Sequence, residues 1–335
     1  VVGRSSYRDR VSAPARPGRT SAPPAWAADA LLPGYLAAPL GPATLVRPER
    51  EPDDVRGVVL HLHGYNDYFF QTHLVDALAD AGFACWAVDL RRAGRSLLRD
   101  DEGLPAHWTA LLPEFWADLD AAVAAVREAY PGLPLAVHAH STGGLTAATW
   151  AHARGVAGPD ALVLDSPFLD LDGSWLARAV RTGLLEVLGR TRPLAVVSTH
   201  PSVYATYQHV DNGGRWDFDT RLKRPEGQPA RAAWLRTVRQ GQLRVARGLR
   251  IACPVLVGRA AASGPDSVDN PLLDAQDTVL DTVRIGHLAP RLGADVTQLV
   301  VDGGVHDLML SAEGPRAQYL AGVTGFLDRS LRGVR

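Results

Sequence analysis

Lysine is almost missing from this 335-residue chain: of 35 basic residues only Lys223 is not arginine. Cysteine is nearly as scarce. Cys85 and Cys253 are too few and too far apart for a disulfide framework, and in the apolar runs "FACWAV" and "IACPVLV" they read as buried free thiols. Neither sign of charge prevails. The 35 bases meet 36 acids, the net charge is −1, and no global field draws the chain to nucleic acid or to an anionic membrane. Long apolar runs are absent too, being broken well short of the ~20 residues that a membrane span needs. No charged n-region, apolar core and cleavage site opens the residues given, so the expected location is cytoplasmic. What remains, 46% apolar and 21% charged, suits one large core, alone or with an inserted subdomain.

Residues 1–40 are rich in Pro, Ala, Arg and Ser and read as a flexible leader, so that removing about 30 of them is expected to leave a folded protein. Beyond them strand-like and helix-like pieces alternate. "GVVLHLHG" (57–64), "FACWAVDL" (83–90), "LAVHAH" (135–140) and "ALVLDSP" (161–167) are near-continuous apolar strands. Amphipathic helices fall within "FFQTHLVDALADAG" and "LLPEFWADLDAAVAAVREAYPG". Such alternation predicts an α/β fold, a mostly parallel sheet with helices on both faces. It stops over 168–248, resumes at "PVLVG" (254–258) and "TQLVV" (297–301), and closes with the helix "GPRAQYLAGVTGFLDRSL". The organisation expected is a core of 41–167 and 249–335 with a helical cap inserted at 168–248.

One strand runs straight into a polar turn. "LAVHAHSTGGLTAATWA" places Ser141 between His140 and Thr142, with Gly143 and Gly144 behind it. A serine hydroxyl becomes a nucleophile when it projects from the backbone and a base takes its proton. A strained strand-to-helix turn gives that projection if its flanks are small, as in G-x-S-x-G. Here the pattern reads Ala139-His140-Ser141-Thr142-Gly143, with alanine for the first glycine. The plainer reading is a serine that caps the helix. A base is available in "DGGVHDLML", where His306 sits on a glycine-rich loop after the last strand.

"HLHGYNDYFFQTHLVDALADAGF", "DLRRAGRS", "AHSTGG" and "VVDGGVHDLMLS" together resemble the alpha/beta-hydrolase superfamily, in its monoacylglycerol lipase/lysophospholipase-like (serine aminopeptidase-like) branch. The resemblance spans residue 40 to the end. It implies the alpha/beta-hydrolase fold and a triad in the order Ser141, acid, His306. It puts the acid on the loop after "PVLVG", where "AQDTVLDT" supplies Asp277. It implies oxyanion donors at the backbone N–H groups of Tyr65 and Thr142. It implies a carboxylic ester as small-molecule substrate, of monoacylglycerol or lysophospholipid type, with neither cofactor nor metal.

Several alternatives accompany this reading. Asp281 suits the start of the next helix and Asp165 the end of an earlier strand, yet either could be the acid. Tyr65, Tyr68, Phe69 and Phe70 line an acyl pocket or pack the first helix against the cap; Tyr68, Phe69 and His140 are the pocket candidates. In the cap, Tyr204, Trp216 and Phe218 read as lid core, and Asp89 with Arg91 as a structural pair. A peptidase of the same fold would use acids such as Asp211, Asp217 or Asp219 for a substrate amine. A metal hydrolase would use the histidine pairs His61/His63 and His138/His140. A hydrolase-fold binding protein with little turnover is the third competitor.

Overall fold

The computed structural model describes residues 24–99, 103–171, 175–199 and 202–333. In chain order the elements are β1 (Ala27–Ala28), β2 (Tyr35–Leu40), β3 (Ala43–Pro48), β4 (Gly57–Leu62), α1 (Thr72–Asp80), β5 (Phe83–Asp89), α2 (Gly94–Leu97), α3 (Pro113–Ala129), β6 (Leu135–His140), α4 (Ser141–Arg154) and β7 (Ala161–Asp165). There follow α5 (Trp175–Thr191), β8 (Val196–Ser198), α6 (Val203–Gln208), β9 (Ala230–Arg231), α7 (Ala232–Arg247), β10 (Val255–Ala260), α8 (Thr282–Leu288), β11 (Val296–Val301) and α9 (Glu313–Ser330).

Among the described residues one sheet runs in the order β1-β2-β3-β5-β4-β6-β7-β10-β11. From β5 to β11 every neighbouring pair is parallel, and β1, β2 and β3 extend that edge antiparallel. The strands are apolar on both sides because both faces are covered. Val58, Leu60 and Leu62 of β4 join Val137, Leu119, Leu145 and Leu288 on the face of α3, α4 and α8. Val59 points the other way, into a cluster with Leu74, Leu78, Val323 and Phe326 of α1 and α9. From β4 the chain steps outward to β5, then returns to the opposite side of β4 with β6. The crevice at the carboxyl ends of β4 and β6 is therefore a topological switch point, the place where such sheets bind ligands.

Several sequence expectations change here. The leader is shorter than residue 40. Residues 1–23 lie outside the described residues, but β1 and β2 belong to the sheet, where Tyr35 is buried and Trp26 packs edge-on against Trp86. Proline and alanine concealed this, because an edge strand tolerates both. Second, α7 belongs to the core rather than to a cap ending at 248. Ala233, Trp234, Val238 and Val245 join the main apolar cluster, and Gly241 packs against Leu112 and Leu145. The stretch between β7 and α7 is also not purely helical, since β8 and β9 pair within it. Third, Asp89 and Arg91 are not partners. Asp89 pairs with Arg95 at 2.8 Å, and Arg91 with Asp118 at 2.7 Å. Of the two thiols Cys85 is buried and Cys253 only half-buried.

Arg95 also meets Asp29 at 2.6 Å, both side chains buried. Asp29→Ala leaves that guanidinium one carboxylate short, with an expected loss of about 3 kcal/mol in urea unfolding. Deleting residues 1–30 is expected to cost at least as much. A loss under about 1 kcal/mol would return this stretch to the status of a leader.

Candidate active site

The elbow is built as the sequence suggested, and its small residues have identifiable reasons. Ser141 has φ 51°, in the left-handed region, between β6 and α4, a conformation that costs a non-glycine residue roughly 1–3 kcal/mol. A side-chain carbon on Gly143 would fall 2.2 Å from the carbonyl oxygen of His63, and one on Gly144 would fall 2.8 Å from Pro167. Ala139 is fully buried beneath the turn. Ser141 is not the helix cap. His140 occupies the cap position and Ser141 is the first helical residue.

The Ser141 hydroxyl lies 3.0 Å from His306 Nε2, and His306 Nδ1 lies 3.0 Å from Asp277 Oδ2. All three residues are buried. Asp277 is fixed from several sides: its Oδ1 accepts the N–H groups of Val279 and Leu280, each at 2.8 Å, and its backbone bonds to Ala262 and Gly264. An ionised carboxylate only accepts hydrogen bonds, so Nδ1 of His306 donates to it and bare Nε2 accepts from Ser141. The other two aspartates are engaged elsewhere. Asp281 caps α8 by accepting from Arg284 N. Asp165 accepts from Leu308 N at 3.3 Å and lies 4.0 Å from His140 Nδ1.

Tyr65 and Thr142 face one another across a cavity of about 20 Å³, lined also by Gly64, His107, Phe115 and Trp234. That is room for about one water. Thr142 is the second residue of α4, so its N–H is among those that a helix start leaves unpaired. A larger cavity, about 740 Å³, opens between Leu97, Pro105 and Ala106 on one side and residues 220–231 on the other, and its lining includes neither Ser141 nor His306. The charged walls of Arg221, Arg224, Arg231 and Glu226 make it a poor acyl pocket; the smaller space lies beside the nucleophile, lined by Thr142 and Gly143 though not by Ser141 or His306 themselves.

Two pocket candidates move. Phe69 is core, 1% exposed, beside Tyr35 and His61. Tyr68 belongs to a seam with Phe70, Phe218, Leu222 and Leu310 that joins the core to the segment before α7. His140 stays at the site, its ring 4.9 Å from that of His306. Trp216 reaches the same seam, stacking on His73 and donating to Leu310 O, while the Tyr204 hydroxyl accepts from Asp307 N. Sequence reasoning did not find Trp234, Phe115 or His107, which arrive from distant elements.

The paired histidines do not converge as a ligand set. His61 Nδ1 bonds His138 Nδ1 at 3.0 Å, and His138 Nε2 bonds Tyr319. His63 accepts from Leu90 N and bonds Gly64 O. Among the described residues, His140 alone of the four joins a group of metal-binding type, with Asp67 and Asp307. The Lys223 ammonium already lies 2.9 Å from Asp67 Oδ1, so this cluster carries its own cation. Burial pushes the Asp67 carboxyl up, but the adjacent Lys223 ammonium outweighs it and the net shift is downward.

Burial also holds four imidazoles neutral. His107 is lowered to about 3 and His138 to about 4, with His61 and His140 well below the usual range. Unfolded histidines protonate near pH 6.5, so between there and about pH 4 the unfolded chain binds more protons and acid destabilises the fold. Asp165 and Asp307 oppose this, since burial raises both and keeps a proton on the folded chain. The four imidazoles outnumber these two carboxyls, so stability should fall as the pH drops below 6.5. Urea unfolding between pH 7.5 and 5 measures it, and a midpoint that stays level would contradict the four neutral histidines.

Residues 53–313 match the family described as serine aminopeptidase, S33. The chain belongs to that family. Among solved structures, this S33 member resembles a soluble variant of monoglyceride lipase from Saccharomyces cerevisiae (TM-score 0.67, 16% identity, covering 93% of this chain and 99% of that one). It also resembles a Paleococcus ferrophilus monoacylglycerol lipase (0.62, 20%, 84% and 97%) and a Bacillus coagulans carboxyl esterase (0.59, 16%, 93% and 100%). At these identities the likeness establishes the alpha/beta-hydrolase fold. No curated protein matches the S33 chain in sequence. No helix among its described residues is long and apolar enough to cross a membrane.

Proposed function

We propose that this S33 member hydrolyses carboxylic esters through an acyl-enzyme. The observation that carries the reading is the buried Ser141–His306–Asp277 chain with both links at 3.0 Å. Ser141 attacks the acyl carbon while His306 takes its proton, and Asp277 holds the His306 tautomer and stabilises the imidazolium. The N–H groups of Tyr65 and Thr142 receive the oxyanion. His306 returns the proton to the leaving alcohol, then activates the water that releases the acid.

Aromatic walls around the small cavity favour apolar acyl groups, and the solved neighbours named as monoglyceride lipases support monoacylglycerol-type esters as the class. The cavity holds about one water, so its walls shift to admit such a substrate. The acids in that segment argue against an amine site. Asp211 and Asp217 have side chains 83% and 90% exposed, and Asp219 is taken by Arg221.

A panel of p-nitrophenyl esters and 1-monoacylglycerols, run beside aminoacyl p-nitroanilides, tests the substrate class. Turnover of medium-chain esters with the anilides untouched is expected. The reverse pattern would make the protein a peptidase.

A further inference from the structure

Four consecutive side chains of the loop after β4 are bonded to one short stretch of the segment before α7. The Tyr65 hydroxyl donates to Pro229 O at 3.1 Å. Asn66 Nδ2 donates to Arg224 O at 2.8 Å, and Asn66 Oδ1 accepts from Arg224 N at 2.9 Å. Asp67 accepts from Lys223 at 2.9 Å, and the Tyr68 hydroxyl accepts from Asp219 N at 2.7 Å. Lys223 is buried, its ammonium 5.3 Å and 5.7 Å from the ring centres of Phe70 and Phe218. On the other side the loop rests on the elbow. A side-chain carbon on Gly64 would lie 3.1 Å from Ser141 Cβ.

We propose that Asn66, Asp67 and Lys223 are positioning residues that hold the Tyr65 N–H over Ser141, so that residues 219–229 must be seated for the oxyanion site to be complete. This rests on the ester-hydrolase reading above. A donor displaced by about 1 Å forfeits much of its transition-state stabilisation while ground-state binding is largely kept. The segment reaches the site through the loop 65–68 that it holds, so its seating and the placement of the Tyr65 donor are one event. The chain's only lysine provides the central charge of that clamp, where its ammonium faces Asp67, with ligand atoms of His140 and Asp307 within 4.8 Å of the same carboxylate.

Asn66 permits a clean test. It has φ 54°, which glycine adopts without strain, so Asn66→Gly removes both bonds to Arg224 and spares the backbone. For Asn66→Gly we expect kcat to fall on the order of 10–100-fold with KM changed little. The affinity of a medium-chain trifluoromethyl ketone, whose hemiketal oxyanion needs the same donors, should fall by the same factor as kcat/KM. Asn66→Asp, which keeps the acceptor for Arg224 N, should recover part of the loss. The pair Lys223→Met with Asp67→Asn, in which no charge is left unpaired, should repeat the pattern and carries the test if Asn66→Gly melts early. Unchanged kcat in the folded variants, or a fall in kcat with undiminished ketone affinity, overturns the clamp. Turnover surviving in Ser141→Ala would instead overturn the serine reading beneath it, whatever Asn66→Gly does.

Discussion

Ser141→Ala is expected to lose ester turnover by about 10⁶-fold while remaining folded. The acyl group has no other acceptor in this account, and His306 without the hydroxyl can only assist water. Stability should change little, because the hydroxyl's bond is to His306, whose other nitrogen is still held by Asp277. Alanine must adopt the same left-handed φ of 51°, and it buries no new polar group. The measurement is kcat/KM on a medium-chain ester alongside a thermal melt. Activity within tenfold of wild type would move the chemistry to another residue.

Asp277→Asn should come next, costing about 10⁴-fold in turnover. Asparagine can keep its carbonyl oxygen on the Val279 and Leu280 N–H groups, so the loop survives. Its NH₂ then faces His306 Nδ1 and donates to it, which moves the imidazole proton to Nε2. An Nε2–H cannot accept from Ser141, and the base is lost through its tautomer alone. The other aspartates separate from this by kind. Asp281→Ala should remove a cap worth about 1 kcal/mol and leave turnover nearly intact. Burial, with Asp307 beside it, pushes the Asp165 carboxyl well up, and its hydrogen bond is to Leu308 N rather than to His306, so Asp165→Asn should be nearly silent in turnover. If Asp165→Asn alone abolishes activity in a folded protein, the acid has been misassigned.

How far the sequence reaches depends on whether a feature is local. The elbow was legible because a strand, a serine and two glycines lie within a dozen residues and each has a steric reason. The parallel sheet was legible because strands buried on both faces are continuous apolar runs, as in "GVVLHL". Asp277 lay within reach because loop order narrows the acid to a few residues; its twofold backbone anchoring, by contrast, is tertiary. The roles of Tyr68 and Phe69 were not legible, because neighbouring aromatics point to opposite sides, one into the seam and one into the core. The N-terminal strands were hidden by composition, and Asp89 took Arg95 as its partner over the nearer Arg91. Lys223 carried a signal, being the single lysine, but its partner Asp67 is 156 residues away.

The proposed hydrolysis stands on Ser141 as nucleophile and His306 as its base. Mass spectrometry of peptides from the intact protein treated with a fluorophosphonate tests this most directly. The predicted result is one phosphonyl group on the peptide containing Ser141, acquired at a rate that His306→Ala lowers by orders of magnitude. An adduct on another residue, or an equal rate of labelling in His306→Ala, would contradict it.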